Sequence, residues 1–270
     1  MDIKIGFIGA GNMAEAMIKG LTANAEGVEI RATNRSNQER LIGLKEKYGI
    51  IPADFTQVVE LSDLLIIAVK PKDVKAILLK LQEYPQIEGK LVVSLAAGIP
   101  MALIEQCLPK TAAVRAMPNT SGAVLYAVTG LVKGNLISEK QVVWVEAVFQ
   151  AMGKVAWIEE KQMNALIALS GSGPAYYYYF TEGLIKAGIA LGLDQETAEM
   201  LARETLVGAG KMLTESGQSS EELRQAVTSP NGTTFAALEV FRQAELGEII
   251  SRAAQACADR AEEMEREYGV

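Results

Sequence analysis

The chain has 270 residues, of which 49% are hydrophobic and 22% charged, with a formal net charge of −7. That length buries a substantial core and most often makes two domains, and acidic charge spread along the chain argues against nucleic acid or an anionic membrane as partner. The absence of any histidine removes the Ser-His-Asp triad, histidine-ligated metals and a histidine general acid.

Ile3, Ile5, Phe7 and Ile8 form a short apolar run that reads as a buried strand, and Met13, Met17, Ile18 and Leu21 then recur at helical spacing. Between them, Gly9-Ala-Gly11-Asn-Met-Ala14 fits the G-x-G-x-x-G/A fingerprint of dinucleotide binding. The first glycine makes the tight turn and the second admits a pyrophosphate to the helix N-terminus, where backbone amides and the helix dipole hold it.

Val28, Ile30 and Ala32 predict a second strand running into Asn34, Arg35 and Ser36. No carboxylate occurs between Glu29 and Glu39, so the position that favours NAD when acidic offers an arginine instead, and NADPH is the expected cofactor, with NADH the alternative. A solvated loop arginine is the competing reading of Arg35. Asp63 to Val69 is a continuous apolar run stopped by Lys70 and Pro71, as in a central parallel strand, and Leu91 to Gly98 repeats the pattern, ending in small residues that let a ligand approach. Asp73 to Leu81 and Met101 to Leu108 have helical spacing.

Ala113 to Met117 and Ala127 to Val132 predict further strands, Ser138 with Gln141 a capping box, Gly153 the C′ stop of that helix, and Lys154 to Ile158 the last strand. Beyond Glu159 helical period takes over. Met163 to Leu169 is followed by Ser170-Gly-Ser-Gly-Pro174, with Pro174 opening a helix to about Leu191 whose Ala175, Gly183 and Ala187 form a narrow packing row. Tyr176 to Tyr179 point in different directions on that helix, which favours packing and interface over an aromatic ligand box. Asp194 caps the next helix, where Gly208 and Gly210 suggest close packing against a neighbour, and Ser219 with Glu222 makes another capping box. Ser229-Pro-Asn-Gly-Thr-Thr234 predicts a turn feeding a helix, with amides of Gly232, Thr233 and Thr234 free to hold a carboxylate; Thr233 as a plain N-cap is the alternative.

Cys107 and Cys257 lie far apart and in no metal-ligand spacing, which fits reduced thiols and no metal site. With no leader-like start and no apolar run near membrane length, a cytoplasmic protein is expected.

In order and spacing, these residues resemble the pyrroline-5-carboxylate reductase family. The resemblance is carried by Gly6-Phe-Ile-Gly-Ala-Gly-Asn-Met13, Ala68-Val-Lys-Pro71, Ala96-Ala-Gly98, Arg115-Ala-Met-Pro-Asn-Thr120, Leu169-Ser-Gly-Ser-Gly-Pro-Ala-Tyr176 and Val227-Thr-Ser-Pro-Asn-Gly-Thr-Thr234, of which the last two are specific to that family. It implies an α/β fold: an N-terminal Rossmann-like dinucleotide-binding domain (residues 1–159) and a C-terminal all-helical domain (residues 160–270) for substrate binding and dimerisation. It implies NAD(P)H-dependent reduction of the imine 1-pyrroline-5-carboxylate to L-proline, in homodimers that in some members assemble into decamers. Cofactor contacts would come from Gly9, Ala10, Gly11, Asn12, Met13, Asn34, Arg35, Ser36, Ala68, Val69, Lys70, Pro71, Ala97 and Gly98. The substrate carboxylate would sit on Gly232, Thr233 and Thr234, with the Thr234 hydroxyl near the ring nitrogen. Glu160 matches an acidic substrate-side position, so Thr234 with water or Glu160 would manage the ring proton. Asn231 departs from the family's usual glycine but tolerates left-handed backbone angles. Three rivals differ in one feature each. A β-hydroxyacid dehydrogenase would need a lysine that Met163 to Leu184 lacks. A non-catalytic NADPH-binding regulator would need no substrate turn, and a reductase of other cyclic imines would need no carboxylate site.

Overall fold

The computed structural model describes residues 2–268. The chain begins β1 (Ile3–Ile8), α1 (Asn12–Asn24), β2 (Val28–Thr33), α2 (Gln38–Tyr48), β3 (Ile51–Pro52), α3 (Phe55–Leu61), β4 (Leu64–Ile67) and α4 (Pro71–Leu81). It continues with β5 (Leu91–Ser94), α5 (Met101–Cys107), β6 (Ala112–Pro118), β7 (Ala127–Lys133), α6 (Glu139–Gln150) and β8 (Gly153–Trp157). Helices follow: α7 (Met163–Leu166), α8 (Gly173–Ala190), α9 (Gln195–Glu215), α10 (Ser220–Ala226), α11 (Thr233–Gln243) and α12 (Leu246–Tyr268). By internal contacts the chain forms two units, one running to Ser172 and resuming at Ala256, the other Gly173–Gln255.

In the first unit the strands form one sheet in the order β3-β2-β1-β4-β5-β6-β7-β8. The first six are parallel, β7 runs antiparallel to β6, and β8 is parallel to β7. The order reverses between β1 and β4, and the carboxyl ends of strands at such a switch point form the ligand crevice of open α/β sheets. Both faces are covered, which is why β4 and the first three residues of β5 are apolar. Leu64, Ile66, Leu91 and Val93 pack on one side with α1, α2 and α6. Leu65, Ile67 and Val92 pack on the other with α3, α4, α5 and the last turns of α12. The expected α/β domain followed by helices is therefore what the chain forms.

Two local expectations are corrected. Helix α6 does start on the Ser138–Gln141 capping box, but it ends at Ala151 in a right-handed conformation. Gly153, at φ +150°, belongs to the start of β8, where a Cβ would lie 2.2 Å from the Ala127 carbonyl oxygen. Its lack of a side chain serves strand approach rather than helix termination. The stretch before Pro174 is itself partly helical: Ile167–Gly171 is a π turn, closed by the Ser172 amide on the Ile167 carbonyl at 2.8 Å, and α8 starts at Gly173, one residue ahead of Pro174.

In the second unit α8 packs on α9 through Gly188, whose Cβ position is 3.3 Å from that of Ala198. The expected row is not that contact: Gly183 has no neighbour within 4 Å of a Cβ, and Ala175 and Ala187 are exposed. Gly208 and Gly210 are equally open within the chain. Asp194 and Ser219 cap α9 and α10 through the Thr197 and Glu222 amides, as the sequence leads one to expect. This unit keeps large apolar side chains in water, with Leu191 87% and Tyr179 79% exposed.

Candidate functional site

The glycine turn after β1 is shaped by its neighbour across the switch point. Gly9 takes φ +106°, and a Cβ there would sit 2.5 Å from the Ala68 carbonyl oxygen at the end of β4. The turn is tied down by the Gly9 amide on the Thr33 carbonyl and the Ala68 amide on the Ile8 carbonyl, at 3.0 and 2.9 Å. Gly11 is the N-cap of α1, with no side chain capping the helix and nothing within 4 Å of a Cβ position. The result is an uncapped helix N-terminus opening onto free space, which is the arrangement that receives an anion. Asn12 is exposed there, and Met13 is half-buried behind it.

At the end of β2 the Asn34 Oδ1 accepts from the Ser36 amide (3.3 Å), an Asx turn that rounds the strand end. The Arg35 side chain is 86% exposed and pairs with Asp73 of α4, at 3.7 Å. Ala68 and Val69 follow β4 half-buried, Lys70 is the exposed N-cap of α4, and Pro71 its first residue. Gly9 to Met13, Asn34 to Ser36 and Ala68 to Pro71 thus lie at carboxyl ends of β1, β2 and β4.

Ala97 and Gly98 leave β5 in a turn with Gly98 at φ +72°. The expectation that Gly98 is small for a ligand meets a different neighbour: its Cβ would lie 3.1 to 3.2 Å from Met264 of α12. Close by, the guanidinium of Arg115, 1% exposed in mid-β6, donates to Glu160 Oε1 (2.5 Å) and to Glu265 Oε1 (2.7 Å). Glu160 Oε1 also accepts from the Met101 amide at the start of α5 (3.1 Å), while its other oxygen is buried with no partner among the described residues. The carboxylate expected on the substrate side is therefore engaged in holding β6 and α5 together.

The turn before α11 is closed by the Gly232 amide on the Ser229 carbonyl at 3.0 Å, with Asn231 at φ +58°. Proline at the second position and a left-handed third residue fit a type II turn, and Asn231 fills the place that needs positive φ. Two expectations change here. The Gly232 amide is used in closing the turn, so among the described residues the amides left to the helix start are those of Thr233, Thr234 and Phe235. Thr233 is not the N-cap; Gly232 is, with no side chain capping the helix. A Cβ on Gly232 would meet the Ser229 hydroxyl at 2.4 Å. Among the described residues neither Thr233 nor Thr234 uses its hydroxyl in a hydrogen bond.

Two family models match the chain: one described as pyrroline-5-carboxylate reductase dimerisation, over residues 160–264, and one as NADP oxidoreductase coenzyme F420-dependent, over residues 4–98. Pyrroline-5-carboxylate reductase 1 of Bacillus spizizenii is 43% identical over 265 residues, which cover 97% of this chain and 89% of that protein. The chain belongs to the pyrroline-5-carboxylate reductase family. Among solved structures, the family member from Coxiella burnetii is 40% identical with a TM-score of 0.92, covering 98% of this chain and 99% of that one. The Plasmodium falciparum pyrroline carboxylate reductase, solved with NADP bound, is 26% identical with a TM-score of 0.85 over 98% of both chains.

Two sets of contacts escape a reading of the family motifs. Arg40 donates its Nε to the Ala10 carbonyl (3.1 Å), inside the glycine turn; the only sequence hint is an arginine in the first turn of the helix after β2. Arg115 lies within a quoted motif, and a charge amid Ala-Val-Arg-Ala is the signal that it must be paired when buried. Its partner Glu265 has no such signal.

Proposed function

We propose that the protein reduces the C=N bond of 1-pyrroline-5-carboxylate with NAD(P)H to give L-proline. The observation that carries the reading past a general dinucleotide fold is the uncapped α11 start behind the Ser229–Gly232 turn, in a chain 43% identical to a relative named for this reduction. The glycine turn fits a dinucleotide: open space replaces a Cβ at Gly11, and no side chain caps the α1 amides. Gly9 to Met13 would hold the diphosphate and Asn34 to Ser36 the adenosine ribose end. Ala68 to Pro71 and Ala97 with Gly98 would line the remainder. The exposed Arg35 and the lack of any carboxylate in the sequence between Glu29 and Glu39 favour NADPH over NADH.

When bound, the reduced nicotinamide supplies a hydride to an imine carbon. The amides of Thr233, Thr234 and Phe235, at the positive end of α11, hold the substrate carboxylate. The Thr234 hydroxyl then hydrogen-bonds the ring nitrogen and fixes the proton there. A protonated imine is a strong electrophile, so placement does most of the work and a chain without histidine suffices. We assign the proton to Thr234 and water; Glu160, with Oε1 on Arg115 and Met101, steadies the first unit.

We further propose a homodimer formed through the second unit, whose exposed apolar helices and open Gly183, Gly208 and Gly210 support it, with a decamer as the larger assembly. A cytoplasmic setting is supported by the two free cysteines. The test is a kinetic comparison of pyrroline-5-carboxylate with 1-pyrroline, which lacks the carboxylate, in wild type and Thr234→Ala. Wild type should prefer the carboxylated imine by about a hundredfold in kcat/KM, two charge-assisted hydrogen bonds' worth, and Thr234→Ala should lower kcat on both. Equal turnover of the two imines sinks the carboxylate site.

A further inference from the structure

We infer that Arg40 is a positioning residue for the cofactor, turning the Ala10 carbonyl away from the diphosphate so that the glycine turn presents only amides to it. The inference deepens the NAD(P)H reading and rests on it. Ala10 lies between the two glycines, its side chain 3% exposed in the core, so its carbonyl belongs to the same turn whose amides would receive the diphosphate. A carbonyl oxygen facing a diphosphate repels it. The Arg40 Nε takes that oxygen at 3.1 Å.

The guanidinium is held at its far end as well. Its second nitrogen donates to Glu15 Oε2 at 2.5 Å, and Glu15 Oε1 accepts from Lys47 Nζ at 3.0 Å and from the Tyr48 hydroxyl at 3.2 Å. The Arg40 backbone amide is itself fixed by Asn37, the N-cap of α2. Both charged ends are half-buried, with 31% and 22% of the Arg40 and Glu15 side chains exposed, so the pair is screened less than a surface one. Arginine suits the place because its planar fork reaches two acceptors in fixed geometry, which an ammonium does not.

Glu15 explains why the cluster needs more than one cation. It sits in the first turn of α1, where a carboxylate suits the helix dipole but repels an incoming diphosphate. Lys47, and after it Arg40, hold its carboxyl below the usual carboxylate range against the opposing effect of burial. One carboxylate faces two cations, so the three groups together keep a positive charge.

The competing account is a clasp that merely joins α1 to α2. Calorimetric titration of the full chain with NADPH and with NADH, alongside melting temperatures, separates the two for Arg40→Lys and Arg40→Gln. Lysine keeps the charge and the Glu15 pair but cannot also hold Ala10. Both variants should weaken NADPH and NADH by the same factor, about tenfold, or ~1.4 kcal/mol, with KM for NADPH rising and kcat at saturation within twofold. Arg40→Lys should melt within a few degrees of wild type. Unchanged affinities in Arg40→Lys, or a loss for NADPH alone, overturn the inference; the latter would make Arg40 a direct ligand of the 2′-phosphate. Wild-type protein that binds neither dinucleotide overturns the cofactor reading and this inference with it.

Discussion

Gly9 and Gly11 stand two residues apart and answer to different constraints. At Gly9 a methyl group meets the Ala68 carbonyl and a positive φ together. Gly9→Ala should therefore lower the melting temperature as well as abolish NADPH binding. At Gly11 nothing is near, so Gly11→Ala should melt like wild type yet bind NADPH at least tenfold more weakly, because the methyl occupies the space the diphosphate needs. Calorimetry for binding and circular dichroism for melting read both. Arg115 poses the opposite problem, a buried cation shared by Glu160 and Glu265. Arg115→Ala strands two partly buried carboxylates and should cost about 3 kcal/mol or more, whereas Arg115→Met, which fills the space, should show less loss in urea denaturation. A larger loss for methionine than for alanine would contradict the pairing argument.

At the scale of elements, the turn before α11 depends on a left-handed residue. Asn231→Ala should destabilise the second unit by ~1 kcal/mol and raise KM for the imine, while Asn231→Gly should leave both near wild type. If alanine is harmless there, the turn does not set the amides. Much of this architecture was legible in the chain. Strands β1, β4 and β5 announce themselves as apolar runs bounded by Gly9, Lys70-Pro71 and Gly98, and Ser138, Asp194 and Ser219 as helix starts, since each signal is local. Helix α2 was not, because only Leu41 and Leu44 of its eleven residues are buried, and α3 and β3 are too short to show a period. The end of α12 was silent for another reason: Glu265 and Met264 act on Arg115 and Gly98, and the Arg115 contact spans 150 residues of sequence. The glycine turn and the Ser229–Thr234 turn could be located from their motifs, but which amides stay free could not. That depends on the hydrogen bond that closes the second turn, and on Arg40 reaching back to the first.

Taken as a whole, the molecule divides its apolar surface unevenly. The first unit buries two continuous clusters, one on each face of its sheet, while among the described residues α10 and α11 contain no buried position. Large exposed apolar patches mark an interface, and light scattering after gel filtration should give at least twice the chain mass, with Leu201→Glu or Leu206→Glu shifting it toward the monomer. A monomeric wild type would leave Tyr179 and Leu191 without a reason to be apolar. The activity itself rests on one assay: purified protein, NADPH and pyrroline-5-carboxylate, with absorbance for cofactor oxidation and chromatography for the product. The account predicts NADPH oxidised in step with L-proline formed, faster than NADH. Cofactor that binds yet is not oxidised, or oxidation without proline, would contradict it.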